Sequence, residues 1–268
     1  MTAFDTSERR AWAAQADAYA RSFGKLCAYP VPRLLDAAGI EAGTRVLDVG
    51  TGTGTAAAAA CGRGARVAAV DAEPSMVAVA TRNAPTADVR LAVLPELPFA
   101  DDAFDAVIGN FVLNHVGQPR SALKELRRVT RPGGRMALTV WAAPAAAGQT
   151  LLGRAVQAAG VGRPAHLPAL APGDDFSRDE QGFAALLAGA GLQDAGCETL
   201  VWEHRTTPEE WWGGPAAGIA TIGQIVRSQP PEVIEAIKAH FEAMCAEFTD
   251  RDGVLVLPHT ALMAHGRA

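Results

Sequence analysis

Apolar side chains recur three or four residues apart from Glu8 to Phe23, where Trp12, Ala16, Tyr19 and Phe23 fall on one face, and this spacing predicts an amphipathic N-terminal helix. A second helix is expected over Val31 to Ala38, ending near Gly39. Arg45 to Val49 is a short β-branched and apolar run closed by glycines, which predicts the first strand. The pattern then alternates. Helices are expected over Thr55 to Cys61, Ser75 to Asn83 and Arg120 to Val129, and strands over Arg66 to Val70, Val89 to Val93, Phe104 to Asn110 and Arg135 to Trp141. Pro132-Gly133-Gly134 supplies the turn before the last of these strands. Strands that alternate with helices imply a parallel sheet covered on both faces.

Past Ala142 the alternation weakens. The Pro- and Gly-rich stretch from Gly160 to Gly173 is expected to be an insertion or lid. Helix resumes over Arg178 to Ala190, strands are expected over Cys197 to Arg205 and Gly253 to Ala264, and Pro208 to Thr249 between them reads as mostly helical.

Composition narrows the possibilities. With 24 basic against 29 acidic residues and a net charge of -5, the chain has no strong positive field, so nucleic acid is not expected as a partner. The densest basic stretch, Lys124 to Arg131, is interleaved with Leu126 and Val129 at helical spacing and reads as a solvated helix face. Cys27, Cys61, Cys197 and Cys245 show neither paired nor metal-ligand spacing, so no metal site is expected and a reducing cytoplasm fits. Met1 to Arg10 is charged and lacks the apolar core of a secretory signal. No uninterrupted apolar run approaches the roughly 18 residues of a membrane span.

The chemistry concentrates in Val46-Leu47-Asp48-Val49-Gly50-Thr51-Gly52-Thr53-Gly54, an apolar strand running into a glycine-rich turn and then a helix. In an open parallel sheet ligands sit beyond the carboxyl ends of the strands, where this turn must lie. Glycines there permit positive φ and close approach of a ligand. Asp71, at the end of the second strand, offers a carboxylate that can accept both hydroxyls of a ribose, so a nucleoside site is expected. A dinucleotide fingerprint would need glycine where Thr55 stands, and a phosphate loop would need Gly-Lys-Ser or Gly-Lys-Thr, so the spacing argues against NAD and ATP.

Val46 to Gly54 resembles the first motif of the Rossmann-like (class I) S-adenosylmethionine-dependent methyltransferases, whose acidic residue two before the turn is here Asp48. Val70-Asp71-Ala72 is similar to their second motif. Leu97-Pro98-Phe99 with Phe104-Asp105-Ala106-Val107 resembles their third and fourth strand region, and Arg128 to Gly134 resembles the helix end before strand five. The likeness spans about Trp12 to Trp141 and is nearest the small-molecule branch that includes ubiquinone and menaquinone biosynthesis enzymes. It implies an α/β three-layer sandwich with a mostly parallel seven-stranded sheet, an antiparallel last strand, N-terminal helices and a helical lid. Within one domain, 1–41 would form a helical cap, 42–142 the cofactor-binding core, and 143–268 the remaining strands with lid helices over the acceptor.

The resemblance also implies contacts. Asp48 would orient the loop and the cofactor's amino acid end, Gly50, Thr51 and Gly52 would lie against the methionine moiety, Asp71 would hold the ribose, and Ala72 with Met76 would border the adenine. Leu94 would offer its backbone amide to that ring, and Asn110 would sit beside the sulfonium. Where the family usually carries an aspartate for the adenine amino group, this chain has Val93. Tyr19 is either a cofactor contact or a packing residue.

Methyl transfer from a sulfonium needs no metal and no protein nucleophile. If a base is used, His115, just past the fourth strand, is the first candidate, its alternative being to cap or pack the following turn; His166 and His204 are weaker ones. Phe23, Trp141 and Trp211, with Trp202 and Trp212 beside them, are expected to line an apolar pocket for a small-molecule acceptor, in a monomer or homodimer. The leading reading is a small-molecule methyltransferase. A protein of the same fold that binds the cofactor but runs an isomerisation or cyclisation, or a non-catalytic subunit, stays open.

Overall fold

The computed structural model describes residues 1–268. Strand β1 (Arg45–Val49) pairs in parallel with β2 (Arg66–Asp71) on one side and β4 (Phe104–Gly109) on the other, while β3 (Asp88–Leu91) extends the sheet beyond β2. β5 (Thr130–Trp141) lies parallel to β4, and β7 (Leu255–Arg267) runs antiparallel between β5 and β6 (Gln193–Thr206). The order is β3-β2-β1-β4-β5-β7-β6, seven strands of which only the last in sequence is reversed, as expected.

Neighbouring residues on the central strands divide between two cores. Leu47, Val107, Met136 and Leu138 join one cluster, and Val46, Ile108 and Ala137 the other. This two-residue alternation is what a sheet covered on both faces requires. The first face is covered by α7 (Pro119–Val129) and α9 (Glu180–Gly189), through Leu123, Leu126, Phe183 and Leu187. α4 (Val31–Ala37) and the alanine-rich α5 (Thr55–Gly62) cover the second. α6 (Pro74–Asn83) packs so closely on the start of α5 that a side chain at Gly54 would meet the Ala80 Cα at 2.9 Å.

The N-terminal region departs from the single helix expected over Glu8 to Phe23. It forms α1 (Ala3–Trp12), α2 (Ala16–Arg21) and α3 (Phe23–Cys27), broken where Ala14 takes a positive φ of 59° and where Ser22 leaves helical geometry. Periodicity alone does not register such breaks, because the apolar stripe continues through them. β5 begins five residues earlier than expected, with the Pro132-Gly133-Gly134 turn absorbed as a bulge opposite β4.

A helix that the sequence reading did not anticipate, α8 (Ala147–Ala158), follows β5. The segment 160–173 is irregular as expected but lies against α7, where Arg120 donates to the Gly173 and Asp175 carbonyls. The helical stretch between β6 and β7 resolves into α10 (Pro208–Ala217), α11 (Ala220–Arg227) and α12 (Pro231–Cys245). With α8 these enclose a third core of Leu151, Trp211, Ile237, Phe241 and Leu257 at the carboxyl end of β5. No helix is long and apolar enough to cross a membrane.

Candidate active site

A cavity of about 560 Å³ opens at the carboxyl ends of β1, β2 and β4 and runs to the inner side of the α8 and α10 layer. Its floor is the turn after β1. Gly50 and Gly52 line it with φ of 65° and 56°, a backbone form costly for residues with a Cβ. At Gly50 a Cβ would strike Val112 at 2.4 Å, whereas at Gly52 the nearest atom, of Tyr19, is 3.7 Å away. The space in front of Gly52 is therefore left open by the protein.

Two carboxylates hold this turn. Asp71 accepts from the backbone N–H of Gly52 at 2.8 Å and of Glu73 at 3.0 Å, clamping the β1 and β2 turns together at the cavity wall. Asp48 is 1% exposed; one oxygen accepts from the Thr51 hydroxyl at 2.7 Å, and the other is buried with no partner. Burial, reinforced by the nearby Asp71 charge and opposed by the Thr51 hydroxyl and, more weakly, by the Ala57 backbone N–H, pushes Asp48 up to about 6. Burial also raises Asp71. Thr51 thus points at Asp48, and both border a small recess of about 30 Å³ beside the main cavity, together with Tyr19 and Gly52.

Ala72, Met76 and Leu94 line the main cavity on the β2 and β3 side. The Leu97-Pro98-Phe99 loop below them is pinned by α7: Glu125 accepts from the Leu97 N–H at 2.9 Å, and Arg128 donates to the carbonyls of Leu97 and Phe99 while pairing with Glu125 and Asp101. The basic stretch is therefore not a wholly solvated face: Arg127 also donates to the Gly191 carbonyl and Arg131 pairs with Asp105, while Lys124 is exposed.

At the tip of β4, Asn110 donates to the Cys27 carbonyl at 2.7 Å and accepts from the Thr139 hydroxyl, which itself accepts from the Phe111 N–H. Phe111 holds a φ of 62°, strained for a bulky residue, and its ring stacks on Trp141 with centroids 4.0 Å apart. The single turn Val112–His115 follows and brings His115 to the cavity wall.

There His115 meets α1. Its Nδ1 lies 2.7 Å from a Glu8 carboxylate oxygen and 3.4 Å from the Trp12 indole N–H. One nitrogen cannot donate to Glu8 and accept from Trp12 at once; the contact to the carboxylate is the shorter and fits a proton on Nδ1, the tautomer in which the neutral ring carries its lone pair on Nε2. α1 is itself fastened by Asp5, which accepts from the Gly117 N–H at 2.6 Å.

The far end of the cavity is aromatic. Phe23, Trp141 and Trp211 line it, with the Phe23 ring lying over Gly214 and edge-on to Trp211 at 5.1 Å. Trp202 and Trp212 pack behind, Trp212 on Phe241, and neither lines the cavity. His166 is exposed in the 160–173 loop, and His204 is buried outside the cavity lining. Sequence reasoning missed Asp5, Glu8 and His259, all of which reach the cavity. Glu8 stood within a helix already expected, but its pairing with a residue 107 positions away left no local signal.

Residues 47–138 match a family described as a methyltransferase domain. A demethylmenaquinone methyltransferase of Renibacterium salmoninarum is 40% identical over 111 residues, 41% of this chain and 47% of that one, so the chain spans about half the length of this relative. Among solved structures, the YcgJ protein of Bacillus subtilis superposes with a TM-score of 0.56 at 20% identity, over 89% of this chain and 97% of that one. A phosphoethanolamine N-methyltransferase of Haemonchus contortus, solved with phosphomonomethylethanolamine and S-adenosylhomocysteine, gives 0.52 at 17% identity, over 89% and 52%. The structural likenesses establish the Rossmann-like fold. The family match runs from within β1 to within β5 and stops before Trp141 and α8, so the aromatic end of the cavity lies outside it.

Proposed function

Starting from the methyltransferase domain of residues 47–138, we propose that this chain is an S-adenosylmethionine-dependent enzyme that transfers a methyl group to a small-molecule acceptor by in-line displacement. The observation that carries the cofactor assignment is the charge of the cavity beside the glycine turn. Asp5, Glu8, Asp71 and Glu73 line it against Arg9 alone, and Asp48 lies just beneath with an unpartnered oxygen. Such a field attracts a cation and repels the phosphates of a dinucleotide or nucleoside triphosphate. When bound, S-adenosylmethionine supplies an electrophilic methyl group on a positively charged sulfur.

The protein's own part is to bind, orient and exclude water. The open backbone at Gly52 admits the ligand, with Gly50 and Thr51 completing the loop around the methionine end. Asp71, whose two backbone hydrogen bonds leave further lone pairs, takes the ribose hydroxyls, and Ala72, Met76 and Leu94 border the adenine. Tyr19 from α2 and Asn110 at the β4 tip close the site over its reactive centre. Phe23, Trp141 and Trp211 receive the acceptor, and His115, its proton fixed on Nδ1 by Glu8, takes a proton through Nε2 where the acceptor must lose one. Holding acceptor and methyl carbon in near-attack geometry accounts for roughly 7–11 kcal/mol of barrier lowering, and a base for about 10²–10⁴-fold. Positioning therefore dominates.

The test is titration calorimetry with S-adenosylmethionine, followed by an acceptor screen with methyl-labelled cofactor read by mass. Binding is expected in the wild type, and Asp71→Ala should weaken it at least about tenfold, as loss of charge-assisted hydrogen bonds implies. Absence of binding to the wild-type protein would overturn the assignment.

A further inference from the structure

At the aromatic end of the cavity, beside Gln149 and the unpartnered Trp211 indole N–H, stands a buried imidazole that neither the cofactor site nor the candidate base explains. His259, on β7, is 1% exposed and lines the cavity. Its Nδ1 donates to the Leu257 carbonyl at 2.8 Å, which fixes the tautomer and leaves Nε2 as an acceptor. No group of the protein bonds to that Nε2.

The surroundings restrict what could. The ring is stacked on Trp202 at 5.9 Å, meets Trp211 edge-on at 5.6 Å and lies 6.2 Å from Trp141. α8 presses on the same strand, since a Cβ at Gly148 would lie 2.7 Å from the Pro258 carbonyl, and Gln149 accepts from the Thr260 N–H. The cavity lining contributed by α3, α8, α10 and β7 contains no Lys, Arg, Asp or Glu. An anionic ligand would find no counter-charge there, and burying one unpaired is costly.

We propose that His259 Nε2 is the polar anchor of the acceptor end, accepting a hydrogen bond from the hydroxyl or ring N–H of an uncharged, flat, largely apolar compound. Burial drives the His259 imidazole down to about 4, which keeps it neutral in the physiological range and its lone pair available. A buried acceptor of this kind rejects a ligand of equal shape that lacks the donor, because its own lone pair is then left unpaired. The assignment of this end to the acceptor rests on the methyl-transfer reading; the donor preference of the pocket does not.

Indole and benzothiophene share a shape and differ in the N–H, so they serve as probes. Their dissociation constants are measured by ligand-observed NMR, with and without saturating S-adenosylhomocysteine. The ratio of the benzothiophene constant to the indole constant should fall about fivefold in His259→Phe, the size of a neutral hydrogen bond, and stay within about twofold of wild type in His259→Gln, which retains an acceptor. Affinity for S-adenosylhomocysteine should not change in either variant. Independently of any variant, the His259 Nε2 nitrogen resonance of the wild-type protein should shift with indole and not with benzothiophene. An unchanged ratio in His259→Phe, or an Nε2 resonance indifferent to indole, overturns the proposal. Wild-type protein that fails to bind S-adenosylhomocysteine while keeping the indole contrast would overturn the methyl-transfer reading and leave the anchor standing.

Discussion

Replacing Asp48 by asparagine should stabilise the empty protein while impairing ligand binding, and the pH dependence of the gain identifies its cause. The Asp48 carboxylate is buried, half satisfied by Thr51, and raised from 3.8 to about 6. A folded-state value above the unfolded one means that the folded protein retains a proton the unfolded chain has lost. This contribution to stability is complete below about pH 4 and is lost as pH rises through 6. At about 1.4 kcal/mol per unit, ionising Asp48 in place costs roughly 3 kcal/mol. Asparagine keeps the oxygen that Thr51 needs and buries two amide N–H donors where the protonated acid buries one O–H, an offset that is the same at every pH. The variant should therefore gain up to about 3 kcal/mol on wild type between pH 4 and pH 6.5. Each kcal/mol corresponds to about 2–4 °C in a chain of this size. Urea unfolding followed by circular dichroism at both pH values measures the difference directly. A gap that is independent of pH, or a variant less stable at pH 7.5, would refute the view that Asp48 is held charged against the preference of its surroundings.

Two further outcomes separate roles within the site. Gly52→Val places a branched side chain in the left-handed region at a cost of about 1–3 kcal/mol and fills the open space before the loop, so the variant should fold yet show no S-adenosylmethionine binding by calorimetry; retained affinity would mean that the loop does not contact the cofactor. Once an acceptor is in hand, His115→Phe should lower kcat by about 10²–10⁴-fold, and Glu8→Gln in that background should cost almost nothing more, since Glu8 acts only through the imidazole; additive losses would show that the pair does not work as a unit.

The central sheet was legible in the sequence because its information is local. Each parallel strand is a short apolar run bounded by turn residues, and Val46-Leu47 or Val107-Ile108 can be apolar at consecutive positions only where both faces are buried. The turn after β1 was legible for the same reason, with Asp48, Gly50 and Gly52 close in sequence and Asp71 one strand away. The N-terminal region was read less well. The stripe of Trp12, Ala16, Tyr19 and Phe23 does face inward, but the chain reaches that arrangement through three short helices whose breaks at Ala14 and Ser22 are set by tertiary contacts, among them Ala14 donating to Glu73.

What the sequence concealed is what makes the cavity selective. His115 was visible as a residue past a strand tip, yet its partner Glu8 is supplied by a helix at the other end of the domain, and nothing in the spacing of either residue records the pair. His259 was harder still. It lies inside a strand and is paired across the sheet with Trp202, so in sequence it resembles any histidine in a half-apolar run. Only the fold shows that its Nδ1 is occupied by Leu257 and that its ring stands among three tryptophans brought in from β5, β6 and α10. The two ends of the cavity therefore answer to different constraints. The glycine turn is built from residues close in sequence, and a short motif suffices to specify it. The aromatic end is assembled from segments more than 200 residues apart, from Phe23 to His259, so its chemistry can change through single side chains on α3, α8, α10 or β7 without disturbing the glycine turn.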